Sequence, residues 1–372
     1  MASKQRKTPA DRVDAAASRA YLDLLRSLSE AVAVSGEEGP VRALVAAAVR
    51  DHVDELSVDA LGSVYAVKRR AGGGRGQRVL ISVHMDEIGF MISGVDGDGS
   101  LRFETVGGVD DRQWVGKPVW VGADKLPGLI AAAPVHLLSQ DRRSQVIRAS
   151  GLRIDIGADN DKSARALAGP GTRGTFASTF TVVGSGDTAS LRGKALDNRL
   201  GVVTAIELLR RGPYPCELHV AFTVQEEIGL RGAKVAAYRV DPVAAFALDS
   251  TPAYDLPPSQ DGRENVQYNT RLGLGPALYR SDHYTIGDAR LISHLEAVAR
   301  AAGLRYQFRQ PGGGGTDAGA IHKSRAGIPS LSVSVPGRYA HTAHTLVRLA
   351  DWRGLVALMN AALSHWSGRV LR

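Results

Sequence analysis

The stretch HVAFTVQEEIGLRGA, residues 219–233, ends an apolar run on two adjacent carboxylates, Glu226 and Glu227. Side by side they repel each other, and beside an apolar segment each costs desolvation. A cation would make the arrangement worthwhile. Other apolar runs end in the same way. VLISVH closes on His84, with Asp86 two residues later; VAAFALD closes on Asp249; SLSVSVPGRYAH leads to His341; GKALDNR puts Asp197 at a helix start. Imidazole and carboxylate ligands without thiolate suit zinc, cobalt or manganese. Two ions about 3.5–4 Å apart need a carboxylate that bridges them. Asp197 is the natural bridge, with His84 and Asp249 completing one ion's set and Glu227 and His341 the other's. Asp86 is placed to accept the second ring N–H of His84 and fix its tautomer. Neighbouring side chains at a strand end point apart. Glu227 can therefore bind metal while Glu226 faces a water between the ions and acts as general base, passing its proton to a leaving amine.

Taken singly, each residue has an ordinary reading. A lone His-x-Asp is more often structural, paired glutamates before a turn form a solvated corner, Asp197 could cap a helix, and Asp249 could open a turn with Ser250. His341 competes with His344, three residues on. Five such residues at successive strand ends or helix starts carry the joint reading of a two-metal site.

Open α/β sheets gather their sites at the carboxyl ends of strands, and the pattern around these residues is of that kind. After about residue 190, LDNRLGVVTAIELLRR reads as a helix, ELHVAFTVQ and VAAFALDS as strands, ARLISHLEAVARAAG as an amphipathic helix, PSLSVSVPG as a strand and DWRGLVALMNAALSHW as a closing helix. The segment TDAGAIHKSRAG also reads as helical. Towards the N-terminus, ELSVDALGSVYAVKRR and QRVLISVH read as two strands around a basic loop. Strand and helix in alternation predict a largely parallel sheet with helices on both faces. Between about 89 and 186 the texture is mostly β, with Gly/Asp turns, which predicts an inserted domain.

The bulk numbers narrow the class. A 372-residue chain with 44% hydrophobic and 23% charged residues has an ordinary globular composition. The formal charge of +8 is spread along the chain, and its two basic clusters, MASKQRKTPADR and KRRAGGGRGQR, carry no interleaved aromatics. They read as a disordered, solvated tail, residues 1–13, and a solvated turn, so nucleic acid is not expected as a partner. The single cysteine, Cys216, excludes an internal disulfide and a cysteine zinc knuckle. No apolar run reaches the roughly 18 residues of a membrane span, and the expectation is a cytoplasmic protein. No G-x-S-x-G elbow supports a serine hydrolase.

Together HMDEIGFMI, GKALDNRLG, VQEEIGLRGA, ALDS, GGGGTDAGAIH and GRYAHT resemble, in order, the motifs of the M42 family of metallo-aminopeptidases, from about residue 20 to the C-terminus. The resemblance implies a phosphorylase/hydrolase-like three-layer α/β/α catalytic domain, residues 14–88 and 187–372, interrupted by a small β-barrel-like domain, residues 89–186, that serves oligomerisation. It implies two divalent metal ions per subunit, zinc first, with cobalt or manganese as alternatives. His84, Asp197, Glu227, Asp249 and His341 match the ligand positions, Glu226 the general base and Asp86 the residue that orients the first histidine. The glycine-rich PGGGGTDAGA lacks the Gly-Lys-Ser/Thr ending of a phosphate loop. By the resemblance it lies beside the substrate, which makes Thr316 and Asp317 candidates for substrate binding. Leu196 and Ala340 stand where family members commonly have Phe and Ile, and His344 is unusual. These departures bear on specificity and assembly rather than on the ligand set. The function so implied is removal of the N-terminal residue from short peptides by a homo-oligomer, dimer to dodecamer. The competing readings are a two-metal deacylase of N-acyl amino acids, a metal-independent glycosidase using two carboxylates, and a non-catalytic assembly or binding protein of the same fold.

Overall fold

The computed structural model describes residues 9–74, 76–137, 139–255, 270–310 and 312–372. Residues 1–8 of the tail expected to be disordered lie outside that set, and residues 9–13 differ from that expectation, because the first helix begins at Pro9. In chain order the elements are α1 (Pro9–Glu30), α2 (Gly39–Val49), β1 (Glu55–Val58), β2 (Val64–Lys68) and β3 (Arg78–His84). Then come β4 (Gly89–Val95), β5 (Leu101–Val106), β6 (Pro118–Val121), β7 (Leu126–Ala131), β8 (Arg153–Asp155), α3 (Asp161–Leu167) and β9 (Arg173–Phe176). The chain continues with β10 (Thr181–Val183), β11 (Ser190–Gly193), α4 (Leu196–Arg211), β12 (Glu217–Thr223), α5 (Arg231–Val240) and β13 (Ala244–Pro252). It ends with β14 (Ala277–Tyr279), α6 (Ala289–Ala302), β15 (Gln307–Arg309), α7 (Ala318–Ile321), β16 (Ser330–Arg338), β17 (Thr345–Arg348) and α8 (Leu349–Ser364).

The large sheet runs β1-β2-β12-β3-β13-β16-β17-β11-β10, with β14 and β15 branching from β16. Its central strands β12, β3, β13 and β16 are parallel, while the strands beyond them on either side pair antiparallel. The sheet is therefore mixed, and the parallel part expected from the sequence is its centre. ELSVDALGSVYAVKRR forms two strands, β1 and β2, joined as a hairpin.

The central strands are covered on both faces, so most of their residues are buried; β3 is apolar from Val79 to Ile81, whereas β16 alternates Ser with Leu or Val. On β3, Val79, Ile81 and Val83 face the core built with α1, α2, α4 and α8, whereas Leu80 faces a smaller core with Ala233, Ala236 and Ala237 of α5 and Ile321 of α7. The period of two is what divides one strand between two layers.

The inserted region closes into a six-stranded antiparallel barrel, β4-β5-β8-β7-β6-β9. Phe90, Phe103, Trp114 and Phe176 fill it, with Trp114 stacked on Phe176 at 4.6 Å. The next strand, β10, pairs with β11 at the edge of the large sheet. Among the described residues no helix is long and apolar enough to cross a membrane.

Candidate metal centre

Parallel pairing sets the site. Thr223 of β12 lies in register with His84 of β3, and Asp249 of β13 in register with Ser334 of β16. The carboxyl ends of four neighbouring strands therefore open on the same rim. β3 delivers His84 directly, β12 delivers Glu226 and Glu227 just past its end, β13 carries Asp249 within the strand, and β16 leads into His341. Asp197 comes from the first turn of α4, where its backbone (φ −79°, ψ 103°) departs from the helix.

The turns that aim these side chains use unusual backbone. Ala195, Gln225, Leu230, Tyr339 and His341 all have φ between 53° and 65°. For residues with a side chain this left-handed region costs free energy, and it clusters at sites where the fold over-determines the conformation.

Two triads result. His84 Nε2 lies 3.2 Å from Asp197 Oδ1 and 3.4 Å from Asp249 Oδ1. His341 Nε2 lies 3.5 Å from Asp197 Oδ2 and 3.4 Å from Glu227 Oε1. Within each triad the candidate ligand atoms lie within 4.8 Å of one another. Asp197 belongs to both and turns one oxygen to each. The tautomers agree with this. His84 Nδ1 is 3.2 Å from the Asp86 carbonyl oxygen and His341 Nδ1 is 2.8 Å from the Gly108 carbonyl oxygen. A carbonyl only accepts, so both Nδ1 atoms carry a proton, and both Nε2 atoms are turned to the carboxylates.

The residues fit a pair of divalent cations. Asp197 Oδ1 is buried with no hydrogen-bond partner among the described residues, a costly state for a carboxylate oxygen unless a cation takes it. The local charges are also unbalanced. Burial, reinforced by the charge of Asp197, pushes the Asp249 carboxyl up to about 7. Burial and the same neighbour push Glu227 up to about 7 against the pull of His341. Burial likewise raises Glu226 well above the carboxylate range, with Asp249, Glu227 and Asp317 adding to it. Asp197 is the exception: burial favours its neutral form, but His341 and His84 outweigh that and hold it well below the usual value. A set of nitrogen and oxygen donors with excess negative charge is the ligand chemistry of zinc, cobalt or manganese.

Asp86 is fully buried and has a wider role than the sequence suggested. Its Oδ1 is 3.4 Å from His84 Nδ1, yet the ring N–H hydrogen bond goes to its backbone carbonyl. The carboxylate accepts the backbone N–H of Glu226 at 3.0 Å and of Glu227 at 3.2 Å, together with the Ser35 hydroxyl at 2.6 Å. Glu38, which sequence reasoning missed, accepts the Gln225 N–H at 3.1 Å. Two buried carboxylates thus hold three successive amides of the segment that carries Glu226 and Glu227. No motif marks Glu38, because the contact joins residues 187 positions apart.

A cleft of about 950 Å³ opens over the triads, walled by Gly312–Gly315, Tyr284, Arg309 and Lys323 among others. Thr316 and Asp317 lie beneath that glycine wall rather than on it. Thr316 Oγ1 is 2.7 Å from Ser332 Oγ, and Asp317 Oδ2 accepts the hydroxyls of Ser82 and Thr223 at 2.6 and 2.7 Å. His344 belongs to neither triad and pairs with Ser178 at 2.8 Å.

Residues 62–358 match the family model described as M42 glutamyl aminopeptidase. The glutamyl aminopeptidase of Lactococcus lactis subsp. cremoris is 30% identical over 92% of this chain and 95% of that protein. The TET aminopeptidase of the archaeon Thaumarchaeota archaeon SCGC AB-539-E09 superposes with a TM-score of 0.89 at 33% identity, covering 95% of this chain and 99% of that one. The TET1 peptidase of Pyrococcus horikoshii superposes with a TM-score of 0.81 at 33% identity, over 93% of this chain and 100% of that one. With the motifs, the mixed sheet, the inserted barrel and these likenesses in agreement, the chain belongs to the M42 family of metallo-aminopeptidases.

Proposed function

We propose that the chain is a two-metal aminopeptidase that removes the N-terminal residue from short peptides. The observation that carries this reading is the position of Asp197 between two His/carboxylate triads, one oxygen to each. Two divalent cations held there would polarise a scissile carbonyl and bring the pKa of a water near neutrality. The chain's own part is positional. Asp197 sets the spacing, Asp86 and Glu38 fix the Gln225–Glu227 backbone, and Glu226 faces the cleft as the free carboxylate. Glu226 takes a proton from the attacking water and returns it to the departing amine. The walls of the cleft hold the N-terminal side chain.

The test is release of chromophore from a panel of aminoacyl-anilides by metal-loaded and chelated protein, with zinc, cobalt and manganese compared, and by Glu226→Gln. Expected is metal-dependent cleavage of unblocked substrates, reduced by about 10²-fold or more in Glu226→Gln with metal content unchanged. Cleavage of N-acyl but not unblocked substrates would replace the reading with a deacylase.

The barrel is assigned to assembly on the same footing. Leu129, Leu137, Val146 and Leu167 on this region are half or more exposed, and the Pyrococcus horikoshii relative can assemble into a tetrahedron or a large octahedral shell. Light scattering on the purified protein distinguishes dimer from dodecamer. A monomer at working concentration would remove the proposal.

A further inference from the structure

Arg309 ends β15 and is 4% exposed, yet it lines the cleft over the metal centre. Its guanidinium lies over the Tyr279 ring at 4.3 Å, and Nη2 donates to the Gly313 carbonyl. Nε and Nη1 are shut off from bulk water and have no hydrogen-bond partner among the described residues. Buried arginines are ordinarily paired with an anion, because a buried charge with unspent donors is costly. The lining supplies none: apart from Asp197, Glu226, Glu227 and Asp249 at the metal centre, its charged residues are Lys234, Arg309 and Lys323. The arginine is also tied to the reaction centre. Tyr279, in register with Arg309, donates its hydroxyl to the carbonyl of Ser250 at 3.5 Å, one residue beyond the candidate ligand Asp249.

We propose that Arg309 is the receptor for a substrate carboxylate and so a specificity-determining residue. The inference rests on the aminopeptidase reading and deepens it. Guanidinium matches carboxylate in shape and charge, and the stacked tyrosine fixes its plane. The carboxylate has two sources in a short peptide, an acidic N-terminal side chain or the free C-terminus, and the same cation would serve either.

Two matched pairs separate them. The first is the Glu- and Gln-anilides, which lack a C-terminal carboxylate. The second is the dipeptide Leu-Gly and its C-terminal amide. Each pair is measured by kcat/KM in the parent protein, Arg309→Gln and Arg309→Lys, and by calorimetric binding to metal-loaded Glu226→Gln protein with and without Arg309→Gln. Expected is a preference for the carboxylate member of one pair of about 10- to 100-fold, abolished by Arg309→Gln and partly restored by Arg309→Lys. Preference in the first pair assigns the acidic side chain, in the second the C-terminus. If Arg309→Gln slows both members of each pair equally, the residue only braces Gly313 and the proposal is overturned. Indifference of the parent protein to both pairs overturns it as well. Carboxylate-selective binding without turnover of either pair would instead leave the receptor standing and remove the aminopeptidase reading.

Discussion

The Asp86 carboxylate accepts the backbone N–H of Glu226 at 3.0 Å, with its second oxygen on the N–H of Glu227. One fully buried side chain therefore holds the proposed base and a candidate metal ligand, and lies 3.4 Å from the ring of a third residue, His84. Replacing an oxygen by an amide in Asp86→Asn sets a donor against donors. The expected result is a fall in kcat of about 10- to 100-fold, with metal content close to that of the parent protein by elemental analysis. Loss of metal in proportion to activity would make Asp86 a support for the ligands alone.

Asp197 and Asp249 both serve the His84 triad, but only Asp197 also serves the His341 triad. Alanine at each should therefore have unequal effects on metal. Asp249→Ala is expected to retain one tightly bound ion per chain and Asp197→Ala neither, as read by elemental analysis after gel filtration. Two ions retained by Asp197→Ala would rule out the bridging role.

The sequence carried the site because its residues stand at strand ends, where apolar runs stop and the chemistry of the next residue is exposed to view. His84, Glu226, Glu227 and Asp249 could be found that way, and the outer bounds of α4 match the sequence reading, although Asp197 and Asn198 inside it are not helical. What could not be read depends on contacts between distant residues. Glu38 meets Gln225, Gly108 of the inserted region meets His341, and Arg309 lies over Tyr279. The reading of TDAGAIHKSRAG as a helix was too long, since α7 covers only Ala318–Ile321. The mixed pairing of the sheet was hidden too, because β1, β2, β11 and β17 are only four or five residues long, and neither period nor length tells their direction.

Gly232 explains the second glycine of EEIGLRGA. A Cβ there would sit 2.6 Å from both the backbone N and O of Val224, atoms that cannot yield without moving the segment carrying Glu226 and Glu227. Gly232→Ala is expected to cost about 1–3 kcal/mol of stability, seen as a lower denaturant midpoint. Activity should fall by more than the folded fraction does. A variant of unchanged stability and activity would show that the close approach is not maintained in solution.

Lys194 and Glu87 form an ion pair that lies wholly inside the molecule. Nζ sits 2.8 and 2.9 Å from the two carboxylate oxygens and 2.6 Å from the Ala31 carbonyl. Glu87 also accepts the Ala33 N–H at 3.0 Å and the hydroxyl of Thr175 in the barrel at 3.1 Å. Removing the cation leaves that carboxylate buried with Arg199, 3.5 Å away, as its remaining cationic neighbour among the described residues. Lys194→Met is therefore expected to lose about 3–5 kcal/mol at pH 7, measured by urea unfolding. The pH dependence gives a second readout. Burial pushes the Lys194 ammonium down to about 8, and the charge of Glu87 restores only part of the shift. The unfolded lysine titrates near 10.4 (roughly the free value), so between those two values the unfolded chain binds the extra proton. Stability from this group thus rises as pH climbs from about 8 towards 10 and is flat below 8, where both states are protonated. The variant lacks that gain, so its deficit against the parent protein should be larger at pH 10 than at pH 8. A deficit that shrinks over this range would mean that the ion pair holds Lys194 charged, and that its attraction to Glu87 outweighs the cost of burial.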